Sequence, residues 1–250
     1  MRCVYLILSL IVLVSEWIPI QAQETIVFKQ PHNLSAIPVS SIDSITINDG
    51  PTSFNLYISG QVCPVVVNAD SAFYHRSLSD TLMIEFHDEW VDVQNPRLDC
   101  YQVETQGTKV SVTATGKIPL KCMVSGVCDN GRLAMECDTI STLILDGLSL
   151  TSQEGSAICL KDKQPSEVIL NDGTISTLTD AFTYNNEEGD KSNACIYSKG
   201  PISFAGQGTL YVQGNYYHAI ASSKDITINS GHIHVLGTAK DGIHCDQLPF

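Results

Sequence analysis

The sequence predicts an all-β protein organised as a parallel β-helix, a solenoid in which short strands stack repeat upon repeat. The first observation is a segment that recurs four times in the last hundred residues, each copy with a small residue followed by isoleucine. The isoleucines of the four copies are Ile158, Ile196, Ile220 and Ile243. The last two intervals are 24 and 23 residues, and a period in the low twenties with β-forming residues is typical of stacked coils.

The second observation is the alternation of apolar residues on either side of a glycine-containing turn. Ile202 and Phe204 alternate, residues 206–208 form a turn, and Leu210 resumes the alternation. Three short strands in about 23 residues fit one coil of a parallel β-helix. The longer first interval contains the polar, acidic stretch 180–193, which we interpret as a surface loop that leaves one corner.

The N-terminus has the pattern of a secretory signal peptide over residues 1–22. Arg2 supplies the positive charge, residues 4–14 form an almost unbroken apolar run, and Ala22 offers a small residue before the cleavage point. The run is too short to span a bilayer, and no later stretch is apolar enough to insert. The sequence therefore predicts an exported protein, secreted or displayed at the cell surface, without membrane insertion.

Residues 23–110 are predicted to form a β-rich N-terminal arm and cap. Alternating stretches at 42–47, 54–58 and 82–86 predict strands, and the Asn-Asp-Gly-Pro cluster at 48–51 predicts a turn. A solenoid needs such a cover because an open coil presents unpaired strand edges. Residues 111–250 are predicted to form the solenoid itself. It stops soon after a repeat begins, so we expect a C-terminally truncated form or an end covered by self-association.

The charge balance narrows the class of partner. The formal net charge is −13 at pH 7, and such a surface repels nucleic acid and anionic membranes. It fits a neutral ligand, a cationic partner or bound calcium instead.

Cysteine usage is consistent with export. Eight of the nine cysteines remain after removal of the signal peptide, and an even number in an exported chain permits disulfides. The cluster of Cys122, Cys128 and Cys137 is the place where a bridge is most expected. The cysteines near equivalent repeat positions fit buried free thiols as well as bridges.

The repeat region also resembles a known family. Segments 193–200, 206–216 and 219–228, and above all the phrase Gly-x-Gly-Thr-Leu-x-Val-x-Gly-Asn-Tyr, are similar to exported bacterial carbohydrate-binding proteins. The resemblance covers roughly Val110 to Cys245. It implies a right-handed, pectate-lyase-shaped parallel β-helix that binds cellulose-like and acidic plant polysaccharides and carries calcium ions. The chain departs from the family in its many cysteines and its early end.

Candidate calcium ligands are the aspartates near coil corners, because hard cations take carboxylate and backbone oxygens. These residues are Asp180, Asp225 and Asp241. The alternative is that aspartate beside glycine or asparagine only stabilises turns. An acidic glycan would need calcium in any case, since a surface of this charge repels carboxylates.

Candidate sugar-binding residues are tyrosines that can offer ring faces to a neutral glucan. They are Tyr211, Tyr216 and Tyr217. The alternative is that these rings only decorate a solvated outer face.

The sequence gives weaker support to an enzymatic function, and no catalytic residue is predicted. A polysaccharide lyase needs calcium and a lysine or arginine base, but arginine is almost absent from the repeats. A hydrolase needs two carboxylates on one face, which the sequence does not bring together. His232, His234 and His244 could share a transition metal, although side chains of both strand histidines are expected to face solvent.

The prediction is therefore non-catalytic, calcium-assisted binding of polysaccharide by a secreted or surface-displayed protein. Two alternatives remain open, a structural adhesin whose solenoid is a spacer and a cryptic polysaccharide lyase.

Overall fold

The protein is almost entirely strand and turn, which confirms the predicted all-β class. The computed structural model describes residues 23–30, 32–47, 54–58, 60–63, 71–77, 80–184 and 191–246. Within these ranges the helical content is one 3-10 turn, Val39–Ser41, and no helix has the length and apolar character to cross a membrane. The predicted signal peptide, the turn at 48–51, residues 185–190 of the insertion and the last four residues lie outside the described ranges.

The N-terminal strands pair mainly in antiparallel fashion. They are β1 (Gln23–Gln30), β2 (Asn33–Pro38), β3 (Ser44–Ile47), β4 (Phe54–Ile58), β5 (Gln61–Cys63) and β6 (Ser71–Ser77). Strand β1 pairs with both β2 and β6, whereas β3, β4 and β5 form a separate three-stranded sheet.

From residue 82 onward, the strands form three sheets in which most neighbours are parallel. The first contains β7 (Leu82–Phe86), β11 (Leu120–Cys128), β13 (Ser141–Leu145), β16 (Ser166–Leu170), β19 (Ile202–Gly206) and β22 (Ile226–Ile228). The second contains β10 (Lys109–Ala114), β12 (Arg132–Cys137), β15 (Ile158–Leu160), β18 (Ala194–Ser198), β21 (His218–Ser222) and β24 (Ile243–Cys245). The third joins the end of β11 to β14 (Ser149–Thr151), β17 (Ile175–Thr179), β20 (Thr209–Gly214) and β23 (His232–Thr238).

Some of the preceding strands continue the first and second of these sheets. Strand β8 (Val91–Asn95) forms an antiparallel hairpin with β7 and pairs in parallel with β2, so the first sheet extends through β8, β2, β1 and β6. Strand β9 (Tyr101–Gln106) closes the edge of the second sheet beside β10. The division into a cap at 23–110 and a repeat domain at 111–250 stays a prediction, and its boundary falls inside β10.

The chain visits the first, third and second sheets in that order, once per repeat, from β13 to β24. The register confirms the equivalence of the four isoleucines, because Ile158 pairs with Ile196, Ile196 with Ile220, and Ile220 with Ile243. One period of the sequence therefore places each isoleucine beside its equivalent on the neighbouring strand of the second sheet.

Alternating side chains fill the space among the three sheets. In the first sheet Leu143 stacks on Val168 and Val168 on Phe204, and all three are at most 1% exposed. The apolar residues of the last described repeat follow the same pattern but are open to solvent, with Ile228 47% and Ile243 44% exposed. Burial of about 25 cal/mol per Å² of apolar surface therefore stabilises the interior repeats more than the last one.

One turn in the repeat region requires glycine. Gly206 has φ 97°, and a Cβ atom there would overlap the carbonyl oxygen of Leu170 in the preceding repeat. Only glycine combines the left-handed backbone with so close an approach of two strands.

The expected bridge in the cluster of Cys122, Cys128 and Cys137 is wrong, since all three are buried free thiols. Cys122 and Cys128 belong to the single strand β11, which bends at Gly126 as it passes from the first sheet to the third. The four residues from Cys122 to the bend alone span about 13 Å. A disulfide requires Cα atoms within about 7 Å. These thiols instead fill the core as small apolar groups, and burial raises the pKa of Cys122 far above its ordinary value.

Candidate functional site

Aromatic side chains gather at the corner where the chain passes from the third sheet to the second. Three successive repeats contribute to this corner, one between β17 and β18, one between β20 and β21, and one between β23 and β24. We call the group the aromatic corner and define it by its rings. They belong to Tyr184, Tyr216, Tyr217, His218 and His244.

The rings of the aromatic corner form a continuous chain of contacts. Tyr184 stacks on Tyr216 with centroids 4.2 Å apart and planes at 15°, and Tyr216 contacts Tyr217 at 5.1 Å. Tyr217 meets the edge of His218 at 5.8 Å, and His218 stacks on His244 at 4.3 Å and 10°. Stacked rings fix one another in orientation, so the corner offers a preformed aromatic surface.

Asp180 is a buried residue that connects two parts of the aromatic corner by hydrogen bonds. Its side chain is 1% exposed, and its Oδ2 accepts a hydrogen bond from the Tyr184 hydroxyl at 2.6 Å. Its Oδ1 accepts one from the backbone N–H of Asn215 at 2.5 Å. Burial raises the pKa of the Asp180 carboxyl, against the opposing effect of these two hydrogen bonds. Asp180 is therefore a positioning residue for Tyr184 and for the turn that carries Tyr216.

His218, Asp241 and His244 form a polar cluster at one end of the corner. Oδ2 of Asp241 lies 3.4 Å from Nδ1 of His218 and 3.2 Å from Nδ1 of His244. The backbone N–H of Asp241 donates to Nδ1 of His218 at 3.3 Å, which requires that nitrogen to be an acceptor. Burial lowers the pKa of His218, and the neighbouring His244 lowers it further. The buried imidazole is therefore neutral at physiological pH.

The exposed part of the site combines a ring face with polar groups. Tyr217 is 42% exposed, and Nζ of Lys240 lies 5.2 Å from its ring centroid. A pocket of about 150 Å³ opens beside His244. Its polar lining is Lys191, Asn193, Tyr197, Ser222, Ser223, His244 and Asp246. An apolar face beside hydroxyl and amide groups is the arrangement that a sugar ring requires, because sugars present both C–H faces and hydroxyl edges.

Two of the three predicted sugar-binding tyrosines come together here. Tyr216 and Tyr217 lie in the aromatic corner, whereas Tyr211 lies on β20 and stacks on His234 of β23 at 4.9 Å. The sugar-binding role of all three stays a prediction. Tyr211 faces outward from the third sheet, away from the corner turn that carries the other two.

The three predicted calcium ligands are spread over the repeats. Asp241 belongs to the cluster with His218 and His244, and Asp180 is buried with both carboxylate oxygens hydrogen-bonded. Asp225 is exposed, and its backbone carbonyl accepts a hydrogen bond from the N–H of Ile202. Among the described residues no group of three close metal-ligand atoms contains two of these aspartates. Calcium binding stays a prediction.

The grouping of His232, His234 and His244 is wrong. Among the described residues His244 is grouped with His218 and Asp241, not with the two strand histidines, because the corner turn separates β23 from β24. The signal for the correct group lay in the repeat itself. His218 and Asp241 are the first residues of two aligned segments, and this alignment stacks them one above the other.

Other residues of the corner were missed for lack of a pattern. Tyr184 lies at the edge of the irregular insertion, where no repeat alignment reaches it. Lys240 directly precedes the last copy of the repeated segment, and its position over Tyr217 depends on the backbone hydrogen bond from Lys240 N–H to the carbonyl of Tyr217 at 2.7 Å.

Comparison with known proteins places the chain in a family. A family model described as "Carbohydrate-binding domain-containing protein" matches residues 106–248, more than half of the chain, and includes the whole aromatic corner. The chain therefore belongs to this carbohydrate-binding domain family.

Two relatives are similar to part of the chain. A carbohydrate-binding domain-containing protein of Acetivibrio thermocellus is 32% identical over 115 residues, which are 44% of this chain and 40% of the relative. A solved structure of the polysaccharide lyase-like protein from C. thermocellum, in its gadolinium derivative, is similar with a TM-score of 0.54 and 29% identity. The similarity covers 61% of this chain and 60% of that one. The chain thus spans less than half the length of the curated relative it matches.

Proposed function

We propose that this protein binds polysaccharide at the aromatic corner and does not cleave it. The observation that carries the proposal is the ring stack from Tyr184 through Tyr216 to the exposed face of Tyr217, within the part of the chain that matches the carbohydrate-binding family. A sugar ring would lie on Tyr217, and its hydroxyl groups would reach the polar pocket beside His244. The prearranged rings reduce the entropy that binding must overcome.

The fold proposed for this function is a right-handed parallel β-helix. The cyclic order of the three parallel sheets and the one-to-one register between repeats support it. In such a fold each corner of one repeat lies over the same corner of the next. A linear glycan could then contact Tyr184, Tyr217 and Lys240 in succession, since each belongs to a different repeat.

We include calcium in the proposal as an assisting ion. The net charge of −13 would repel an acidic glycan unless a cation neutralised both partners. Of the three predicted ligands, Asp225 and Asp241 are exposed, whereas Asp180 would have to give up its two hydrogen-bond donors from the protein.

Export and the absence of catalysis are parts of the same proposal. The apolar N-terminal run supports secretion or surface display. The name of the curated relative supports carbohydrate binding. The name of the solved relative, which is polysaccharide lyase-like, is the reason to test for lyase activity as well. Self-association through the exposed apolar side chains of the last repeat is a further expectation.

The test is titration calorimetry of the purified protein with polygalacturonate and with a soluble glucan, each in calcium and in chelator. We expect saturable binding of at least one polymer and about tenfold weaker binding in Tyr217→Ala, because loss of a central aromatic contact costs more than about 1 kcal/mol. Tyr57→Ala is the matched control, since this half-buried tyrosine lies in the separate N-terminal sheet. For polygalacturonate, Asp241→Asn should remove the part of the affinity that depends on calcium.

Two results would contradict binding at the aromatic corner. One is the absence of saturable binding to either polymer in both buffers. The other is an equal loss of affinity in the Tyr217 and Tyr57 variants. Release of unsaturated, ultraviolet-absorbing products during the titration would show a lyase instead.

A further inference from the structure

A second cluster of polar and aromatic side chains lies outside the family match, on the hairpin formed by β7 and β8. The two strands are joined by residues 87–90, and the backbone N–H of His87 donates to the carbonyl of Trp90 at 3.0 Å. Ile84 and Phe86 of β7 and Val91 and Val93 of β8 point into the core. The outward positions of the same strands carry Glu85 and Asp92, and His87 follows β7 directly.

The pairing of the hairpin places two carboxylates directly opposite each other. Glu85 and Asp92 are register partners in the antiparallel ladder, and like charges at such positions destabilise a sheet. Among the described residues no lysine or arginine forms an ion pair with either carboxylate, and the ion pairs of Asp92 are to two histidines. Within the described part of the chain, the two carboxylates are therefore not neutralised by an ion pair to a permanently charged side chain.

Two imidazoles hold Asp92 from either side. Nε2 of His87 lies 3.1 Å from its Oδ2, and Nδ1 of His32 lies 3.1 Å from its Oδ1. His32 comes from the turn between β1 and β2, where its φ of 58° places a non-glycine residue in the left-handed region. Such conformations occur where the surrounding structure enforces them, often at ligand sites. Donor atoms of Glu85, His87 and Asp92 all lie within 4.8 Å of one another.

Trp90 fixes the direction of both imidazoles. Its ring stacks on His87 at 5.0 Å and 25° and contacts His32 at 5.3 Å and 37°. A pocket of about 540 Å³ opens beside the hairpin, and Glu85, His87 and Trp90 are among its lining residues. An ion held by these side chains would thus have protein ligands on one side and space for water or a further ligand on the other.

We propose that Glu85, His87 and Asp92 form a site for a divalent transition metal such as zinc, with His32 hydrogen-bonded to the other oxygen of Asp92. Imidazole nitrogen together with carboxylate oxygen is a ligand set for zinc, nickel or copper. Calcium and magnesium take oxygen ligands, so this site is distinct from the proposed calcium sites. The metal would replace the contact of 3.1 Å between the His87 imidazole and the Asp92 carboxylate with bonds of about 2.0–2.2 Å, and it would neutralise the opposed carboxylates.

The experiment measures binding of zinc chloride to the purified protein after chelator treatment and dialysis, by calorimetry and by thermal melting. We expect saturable zinc binding, and a rise in melting temperature of about 5 to 10 °C at a hundredfold excess over the dissociation constant. Calcium chloride at the same concentration should not displace the zinc. His87→Gln and Glu85→Gln should each weaken zinc binding tenfold or more.

Two control variants keep the result specific. His232→Gln removes an exposed histidine of β23 and should leave zinc affinity unchanged, and His244→Gln tests the other histidine cluster of the molecule. Metal-free melting temperatures identify any variant that fails to fold, and Glu85→Gln, an exposed substitution, keeps the test valid if His87→Gln unfolds. Absence of saturable zinc binding, equal loss in His232→Gln, or loss in His244→Gln alone would each overturn the proposal. Because glycan titration does not use this hairpin, the outcome is independent of the polysaccharide proposal.

Discussion

The two ends of the stack of repeats differ in how their apolar residues are covered. At the N-terminal end Leu82, Ile84 and Phe86 of β7 are at most 1% exposed, because β8 and β11 flank the strand. At the other end Ile228, Val235 and Ile243 are between 36% and 47% exposed, since the described residues place a repeat on one side only. The same alternating sequence pattern thus gives a core residue or a surface residue, according to whether a neighbouring repeat is present.

This contrast indicates that stability is distributed by nearest-neighbour contacts, as in other repeat proteins. A residue in an interior repeat contributes through two interfaces, whereas one in the last repeat contributes through one. Substitutions at matched positions can separate these contributions.

The largest difference is expected for the isoleucines of the second sheet. Ile220 and Ile243 are register partners, yet Ile220 is fully buried and Ile243 is 44% exposed. Ile220→Ala should lower the free energy of unfolding by about 3–4 kcal/mol, because it removes buried surface and leaves a cavity. Ile243→Ala should lower it by less than about 1 kcal/mol. Urea unfolding followed by circular dichroism measures both, and equal losses would contradict a nearest-neighbour distribution.

A smaller difference is expected for two glycines with left-handed backbone. Gly206 (φ 97°) faces backbone of the preceding repeat, whereas Gly231 (φ 98°) in the last repeat faces a side-chain methyl of Leu170. Alanine strains the backbone at both positions by about 1–2 kcal/mol. Gly206→Ala should cost about 1 kcal/mol more, since a carbonyl cannot move aside as a side chain can. Matched urea titrations would refute this account if Gly231→Ala proved the more damaging.

The sequence allowed prediction of the repeat region because its signals are local and periodic. The stacked isoleucines follow from their spacing alone, and Gly206 follows from its place between two alternating stretches. The continuation of the first sheet through β8, β2, β1 and β6 could not be predicted in this way. Strands β1 and β6 pair in antiparallel fashion across more than forty residues, and no period connects them.

The residues of the candidate sites were likewise predictable only where they lie in the periodic part of the sequence. Tyr216 and Tyr217 lie inside the repeat pattern, so their shared corner was accessible to sequence reasoning. Tyr184 follows an interrupted repeat, and its contact with Tyr216 depends on the buried carboxylate of Asp180. The hairpin cluster around Asp92 needs His32 from a distant turn, a contact that only the folded chain reveals.

The last effect concerns charge and extends the comparison to pH. Asp162 lies between two interior repeats and is 6% exposed, and neither carboxylate oxygen makes a well-formed hydrogen bond. Burial raises the pKa of this carboxyl to about 6, although nearby backbone N–H groups of Cys137 and Gln164 act in the opposite direction. Asp225, near the last repeat, is exposed and provides the matched control.

The sign of the pH dependence follows from proton linkage. Between about pH 4 and pH 6 the folded protein holds a proton on Asp162 that the unfolded chain has released. The contribution of this group to stability is therefore greatest below pH 4, and it falls as pH rises through 6. Asp162→Asn removes the buried charge. The free energy of unfolding of the variant minus that of the wild type should therefore be about 1–2 kcal/mol larger at pH 7 than at pH 4. Asp225→Asn should show no such change in chelator-containing buffer. Urea unfolding at the two pH values decides the matter, and parallel stability profiles of wild type and Asp162→Asn would show that the carboxylate finds partners in solution.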